Sequence, residues 1–372
     1  MLAYVIRRLL LVIPTLIGIM VINFAVIQFA PGGPVEIMIA RIKGTAVEAT
    51  ARFAGGGGET TGQDRGGQLG DRGGGTSKYR GAQGISPEVI QKLERQFGFD
   101  KPVHVRFLEM MARYAVFDFG ESAFSSRRVI DLVIDKMPVS ISLGLWATII
   151  TYFVCIPLGV AKARRDGSRF DAWSSTVILA LYSIPSFLLA ILFIVLFAGG
   201  SFPELKLFPL RGLTSDNWAL LSWPDRIVDY FWHMTLPVIC LVTGSFAGLT
   251  MLTKNSFLEE LNKQYVMTAR AKGLSQQRVL YGHVFRNAML IVIAGFPGLF
   301  IGILFSGALL IETIFSLDGL GLLGFEAAIN RDYPVMFASL YFFTLIGLVM
   351  VIVRDITYMF VDPRIDFDRR GA

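Results

Sequence analysis

Apolar and polar residues do not alternate along this chain; they segregate into long blocks. Six windows contain no Asp, Glu, Lys or Arg: 9–30, 138–161, 172–198, 234–253, 288–311 and 334–353. A helix of about 20 residues, rising about 1.5 Å per residue, crosses the roughly 30 Å hydrocarbon layer of a bilayer. The pattern therefore predicts an all-α polytopic membrane protein with six transmembrane helices. The first window follows Arg7 and Arg8, as a secretory leader's would. Its apolar core exceeds the roughly 7–15 residues of a leader's apolar region, which points to a retained span.

The segments between the windows fall into three kinds. Residues 54–84 hold 13 glycines among Asp, Arg, Gln, Ser and Thr. A stretch with so little apolar surface cannot offset its ordering entropy, and it reads as a flexible loop. After it, Ser86-Pro87-Glu88 has the residues of a helix start and Gly98 those of a stop. A second amphipathic stretch follows over 103–116, so 86–136 is expected to be a small helical cap. The connection 254–287 reads differently. A short helix should end at Gly273, where glycine tolerates positive φ, and Ser275 should cap a second one. This helix–Gly–helix element is expected to project from the membrane as either a solvated loop or a docking surface.

Charge adds an orientation. The chain has 372 residues, 35 Lys plus Arg against 29 Asp plus Glu, and a net charge of +6. Basic residues in short loops mark the cytoplasmic side. Sixteen lie in one set of connections and termini (Arg7 and Arg8; 162–169; 254–286; 354–370) and four in the opposite set, Lys206, Arg211, Arg226 and Arg331. Both termini are therefore expected in the cytoplasm. The remaining fifteen fall in 31–136 and are exempt, because long translocated segments follow the rule poorly. The basic excess thus answers to a lipid bilayer, and nucleic acid is not an expected partner. Cys155 and Cys240 both sit in apolar windows and read as small buried hydrophobes, and His104, His233 and His283 are too dispersed for a metal site.

Several kinds of chemistry are missing. The windows lack the ionisable groups that ion-coupled carriers use as relays. No G-x-x-x-x-G-K-[ST] phosphate loop and no nucleophile–base pair occur. A polytopic protein with a projecting cytoplasmic element and no engine of its own suggests a subunit driven by a partner. The rival readings are a self-contained channel, which would pass substrate down its gradient when purified alone, and a membrane-embedded enzyme.

The run Thr268-Ala-Arg-Ala-Lys-Gly273, with Tyr265 before it and Leu274 after it, resembles the cytoplasmic loop of binding-protein-dependent ABC importer permeases of the dipeptide/oligopeptide type. Only Ala269 and Gly273 match the Glu-Ala-Ala…Gly motif of the wider superfamily, whose first positions fall on Met267, Thr268 and Ala269. Other family marks occur in order. They are Tyr4 with Arg7, Arg8 and Pro14; Pro31-Gly-Gly-Pro34; Glu312-Thr-Ile-Phe-Ser316 with Gly319-Leu-Gly321; Arg331-Asp-Tyr-Pro334; and Asp362-Pro-Arg364. The Gly-rich insert, the Ser168-Arg-Phe-Asp171 turn and the ending Asp362-Pro-Arg-Ile-Asp-Phe367 resemble members that import peptides and the peptide-nucleotide microcin C.

This resemblance implies a type I ABC importer permease fold that works by alternating access. The span 1–30 would precede an extracytoplasmic insert, 31–136. A five-helix core, 137–356, would carry the coupling loop 254–287, and 357–372 would form a cytoplasmic tail. The implied partners are a homologous second permease, ATPase subunits or domains on the cytoplasmic face, an extracytoplasmic substrate-binding protein and a peptide substrate. ATP and Mg would be bound by the partner ATPase, with no cofactor in this chain, in the inner membrane of a Gram-negative bacterium. Tyr265, Thr268, Ala269, Arg270, Ala271, Lys272, Gly273 and Leu274 would couple to the ATPase, with Ala269 small because it enters a cleft there. Glu312, Asp318, Arg331, Asp332 and Tyr333 would face the binding protein. Glycines and prolines within the spans, Gly159, Pro185, Gly244, Gly248, Gly298 and Gly302 among them, would allow packing and bending.

Overall fold

A computed structural model of the chain describes residues 2–29, 101–122, 124–199, 207–304 and 308–361, with isolated positions at 86, 88, 90 and 91. The Gly-rich stretch 54–84, the 31–34 motif, most of the helix expected over 86–98 and the 362–367 ending lie outside the described residues. Among the described residues the secondary structure is helical, with one isolated β-bridge between Glu121 and Arg128. The helices are α1 (Leu2–Phe29), α2 (Val103–Ala115), α3 (Val129–Arg164), α4 (Arg169–Tyr182) and α5 (Ser186–Phe197). They continue with α6 (Trp223–Leu261), α7 (Gln264–Ala271), α8 (Gln276–Gly302), α9 (Ala308–Ile314), α10 (Leu320–Asn330) and α11 (Tyr333–Val361).

Three expected windows sit inside the single long helices α3, α6 and α11, and the described part of window 9–30 sits inside α1, each helix apolar and long enough to cross a membrane. The other two differ from expectation. Window 172–198 is not one helix: α4 and α5 meet at a bend of 86°. Pro185 sits at the junction with φ −55 and ψ 134. It has no N–H to continue the ladder, and it disfavours helical backbone at the residue before it. The fifth window is the later part of a longer helix: α8 starts at Gln276, where Ser275 is expected to cap a second helix, and runs on without a break into the window as far as Gly302. Its second turn is a π-helical segment, Leu280–Val284.

The chain divides into two compact units. One gathers Met1–Pro14, Ile134–Leu323 and Phe342–Ala372, and the other Thr15–Val133 and Gly324–Tyr341. The first unit has two apolar clusters. Leu143, Ala147, Cys240 and Ile311 belong to one; Cys155, Phe257, Val266, Val284 and Val292 belong to the other. α3 and α6 approach so closely that a Cβ on Gly159 would lie 2.6 Å from Thr253 Cβ. The Tyr152 hydroxyl donates to the Val292 carbonyl at 3.0 Å and ties α3 to α8. The second unit is aromatic. Tyr114, Phe119 and Tyr341 bring their ring centroids within 4.6–5.7 Å of one another. There the buried Asp332 carboxylate accepts a 2.6 Å hydrogen bond from Ser122 Oγ.

Candidate functional site

The segment after α6 is fixed by its own sequence. Glu260, at the end of α6, is buried and accepts from the Tyr265 hydroxyl at 2.6 Å and from Lys263. Burial and the neighbouring carboxylate push Tyr265 up to about 12, so it stays a neutral donor. α7 then runs for two turns and closes with a Schellman arrangement. The Gly273 N–H donates to the Arg270 carbonyl at 2.9 Å and the Leu274 N–H to the Ala269 carbonyl at 3.3 Å. Gly273 has φ +79, and no atom lies within 4 Å of where its Cβ would be. Glycine is required there by conformation alone. Ser275 Oγ accepts from the Arg278 N–H at 3.4 Å and starts α8.

Which face α7 presents corrects one expectation. Ala269 does not point outward; it is buried with Val266 against Phe257, Val279 and Val284 of the chain itself. Its smallness lets α7 lie close on the start of α8. Tyr265 and Leu274 also pack on that cluster. The outward face consists of Met267, Thr268, Arg270, Ala271, Lys272 and Gly273, with Met267 65% exposed. Val266 and Ala269 stand three residues apart, the spacing that marks an inward stripe. That signal was available in the sequence.

The acidic positions expected to face a binding protein separate. Glu312 has no exposed surface. One carboxylate oxygen accepts from Ser140 Oγ at 2.9 Å and the other from the Leu322 N–H at 2.7 Å, while the Leu320 N–H donates to Ser140 Oγ at 2.7 Å. Glu312 thus caps α10 from another helix, accepting from an amide that the first turn leaves without an intrahelical partner. A Cβ on Gly319 would sit 2.1 Å from Glu312 Oε1 and one on Gly321 3.1 Å from Oε2, which explains the Gly-Leu-Gly spacing. Asp332 is likewise turned inward, onto Ser122. Asp318 keeps 64% of its side chain exposed and pairs with Lys136. Arg331, at φ +54, and Tyr333 are half-buried.

The glycines within the spans also divide. Gly159 serves close packing, whereas Gly244, Gly248, Gly298 and Gly302 have open space where a Cβ would stand. Three of these line a recess of about 280 Å³ with Ser186, Leu241 and Ser245, bounded by α5, α6 and α8.

Residues 155–367, more than half of the chain, match the sequence profile described as "Binding-protein-dependent transport system inner membrane component". The chain belongs to this family. The permease is 60% identical over 373 residues to the "Peptidoglycan transport system permease protein YejB" of Agrobacterium fabrum, with both chains wholly covered. It is 58% identical over 373 residues to the "Inner membrane ABC transporter permease protein YejB" of Escherichia coli, covering 99% of this chain and 100% of that one. To the "Dipeptide transport system permease protein DppB" of Escherichia coli it is 34% identical over 377 residues, covering 98% and 99%. It is thus a multi-pass inner-membrane permease subunit of an ABC importer, a transport component rather than an enzyme. Such a permease works with ATPase and substrate-binding partners.

Proposed function

We propose that this permease imports peptides by alternating access, driven by ATP that partner ATPase domains bind with Mg and hydrolyse. The outward face of α7 is the coupling contact. The observation that carries this reading is the division of labour in α7: Val266 and Ala269 anchor it inward, the Gly273 turn fixes its end, and Met267, Arg270, Ala271 and Lys272 are left exposed. A rigid projection joined directly to α6 and α8 can transmit a partner's closure to the spans. In the same reading a second, homologous permease completes the pathway, both termini are cytoplasmic, and the recess beside Gly244, Gly298 and Gly302 lines the substrate route. Asp318, Arg331 and Tyr333 remain candidates for the face met by the binding protein. The cargo is an oligopeptide or a peptide-nucleotide of the microcin C type, a reading supported by relatives named for dipeptide and peptidoglycan transport.

The test is reconstitution with candidate partners, followed by uptake and ATPase assays with defined peptides, a peptide-nucleotide and a peptidoglycan-derived muropeptide. Stimulated ATP use and uptake of at least one peptide are expected, with Met267→Asp uncoupling the two. Uptake down a gradient by the chain alone would replace the proposal with a channel. Cysteines placed singly at 276 and 330 decide orientation: only the one at 330 should react with an impermeant reagent in spheroplasts.

A further inference from the structure

The turn between α3 and α4 is built around an internal ion-pair frame. Lys162 is fully buried, and its Nζ donates to the Asp171 carbonyl at 2.9 Å, to Ser174 Oγ at 2.8 Å and to Ser175 Oγ at 2.7 Å. It also stands 3.0 Å from the Asp171 carboxylate. The other Asp171 oxygen accepts from Lys254 of α6 at 2.7 Å and from the Gly167 N–H at 3.2 Å. Lys254 holds Asp166 at 2.8 Å as well. Two lysines therefore occupy both acids of the turn.

What projects outward is basic. Arg164, Arg165 and Arg169 are exposed, and none has a carboxylate partner among the described residues. The Arg165 guanidinium lies 5.3 Å from the Phe170 ring centroid. Beyond the arginines, the exposed face of α4 continues through Phe170, Trp173, Val177 and Leu181, which are 37%, 72%, 52% and 37% exposed. Spacings of three and four residues keep these side chains on one face. Arginine, then aromatic, then aliphatic is the order of chemistries met on passing from lipid headgroup through interface to acyl chain.

We propose that this turn binds the phosphate headgroups of anionic phospholipids. Guanidinium groups match phosphate oxygens bidentately, and basic residues beside a span attract anionic lipid. A soluble protein partner fits less well, because the surface behind the arginines is the apolar face of a membrane segment. The internal frame holds the arginines ready in place. Retention of a bilayer lipid by this turn does not depend on what the permease transports.

The test places the full-length chain in phosphatidylcholine nanodiscs that contain a fixed fraction of brominated lipid, bearing either a phosphatidylglycerol or a phosphatidylcholine headgroup. Of the five tryptophans, the contribution of Trp173 is isolated as the difference between the native chain and Trp173→Phe. Quenching by the brominated phosphatidylglycerol should exceed that by phosphatidylcholine about two-fold or more at low salt. The excess should vanish in the triple variant Arg164→Gln, Arg165→Gln, Arg169→Gln, and survive in a control with Arg270→Gln, Lys272→Gln and Arg286→Gln. Equal quenching by the two lipids, or an excess kept in the triple variant, overturns the proposal. Should the triple variant misfold, the native chain still decides: an excess that persists in about 1 M salt is not headgroup charge recognition.

Discussion

Two turns of this permease depend on glycine for opposite reasons. At Gly273 the backbone is left-handed, φ +79, and the space beside it is empty. At Gly319 the φ is not among the positive ones, but a Cβ would lie 2.1 Å from the Glu312 carboxylate. The first glycine is conformational and the second volumetric. The first turn frees a surface, leaving α7 rigid but exposed. The second seals one, burying a carboxylate over the start of α10. A motif letter alone does not say which kind of constraint it records.

Replacing each turn's key residues separates the two kinds of constraint. The largest effect belongs to the sealed turn. Gly319→Ala drives a methyl into the Glu312 carboxylate and pulls it from its donors, so we expect a loss of about 4 kcal/mol, combining overpacking and unsatisfied polar groups. It should appear as early loss of the monodisperse peak on heating in detergent, whereas Gly273→Ala, which costs only about 1 kcal/mol of backbone strain, should move that peak much less. Next is Ala269→Asp, which buries an unpaired charge and should cost about 3 kcal/mol. If that variant keeps native thermal stability yet loses ATPase association, Ala269 is a partner contact after all. Gly273→Val comes third, at about 1–2 kcal/mol of local strain. Gly273→Asn should restore peptide uptake, because asparagine tolerates left-handed backbone. The smallest stability change, within about 0.5 kcal/mol, is expected for the exposed Met267→Asp. In the ATPase assay that variant should nevertheless show hydrolysis without transport.

Much of this was legible in the sequence. The charge-free windows located α1, α3, α6 and α11, because a bilayer demands uninterrupted apolar surface. Gly273 followed by Ser275 gave the stop and restart around α7. The direction in which Ala269 points was not legible from its size, since a small residue fits a partner's cleft and the chain's own core equally well. Nor did counting charges distinguish Lys162, fully buried on two serines and an aspartate, from the exposed Arg164 two residues later. Loop-charge rules sum residues without regard to burial. Glu312 stood one residue beyond an apolar window and read as outward. Its true partners, Ser140 and the α10 amides, lie on other helices, beyond the reach of any local pattern.

The break at Pro185 has a consequence for how the permease is made. α4 has 14 residues and α5 has 12. At about 21 Å and 18 Å, neither reaches across the hydrocarbon layer alone. The nascent chain nevertheless offers the insertion machinery one unbroken apolar stretch over 172–198. Membrane entry should therefore be decided on the stretch as a whole, while the 86° break within it is set locally by Pro185. A truncated nascent chain ending after α5 should accordingly insert as a single span that is already broken at Pro185.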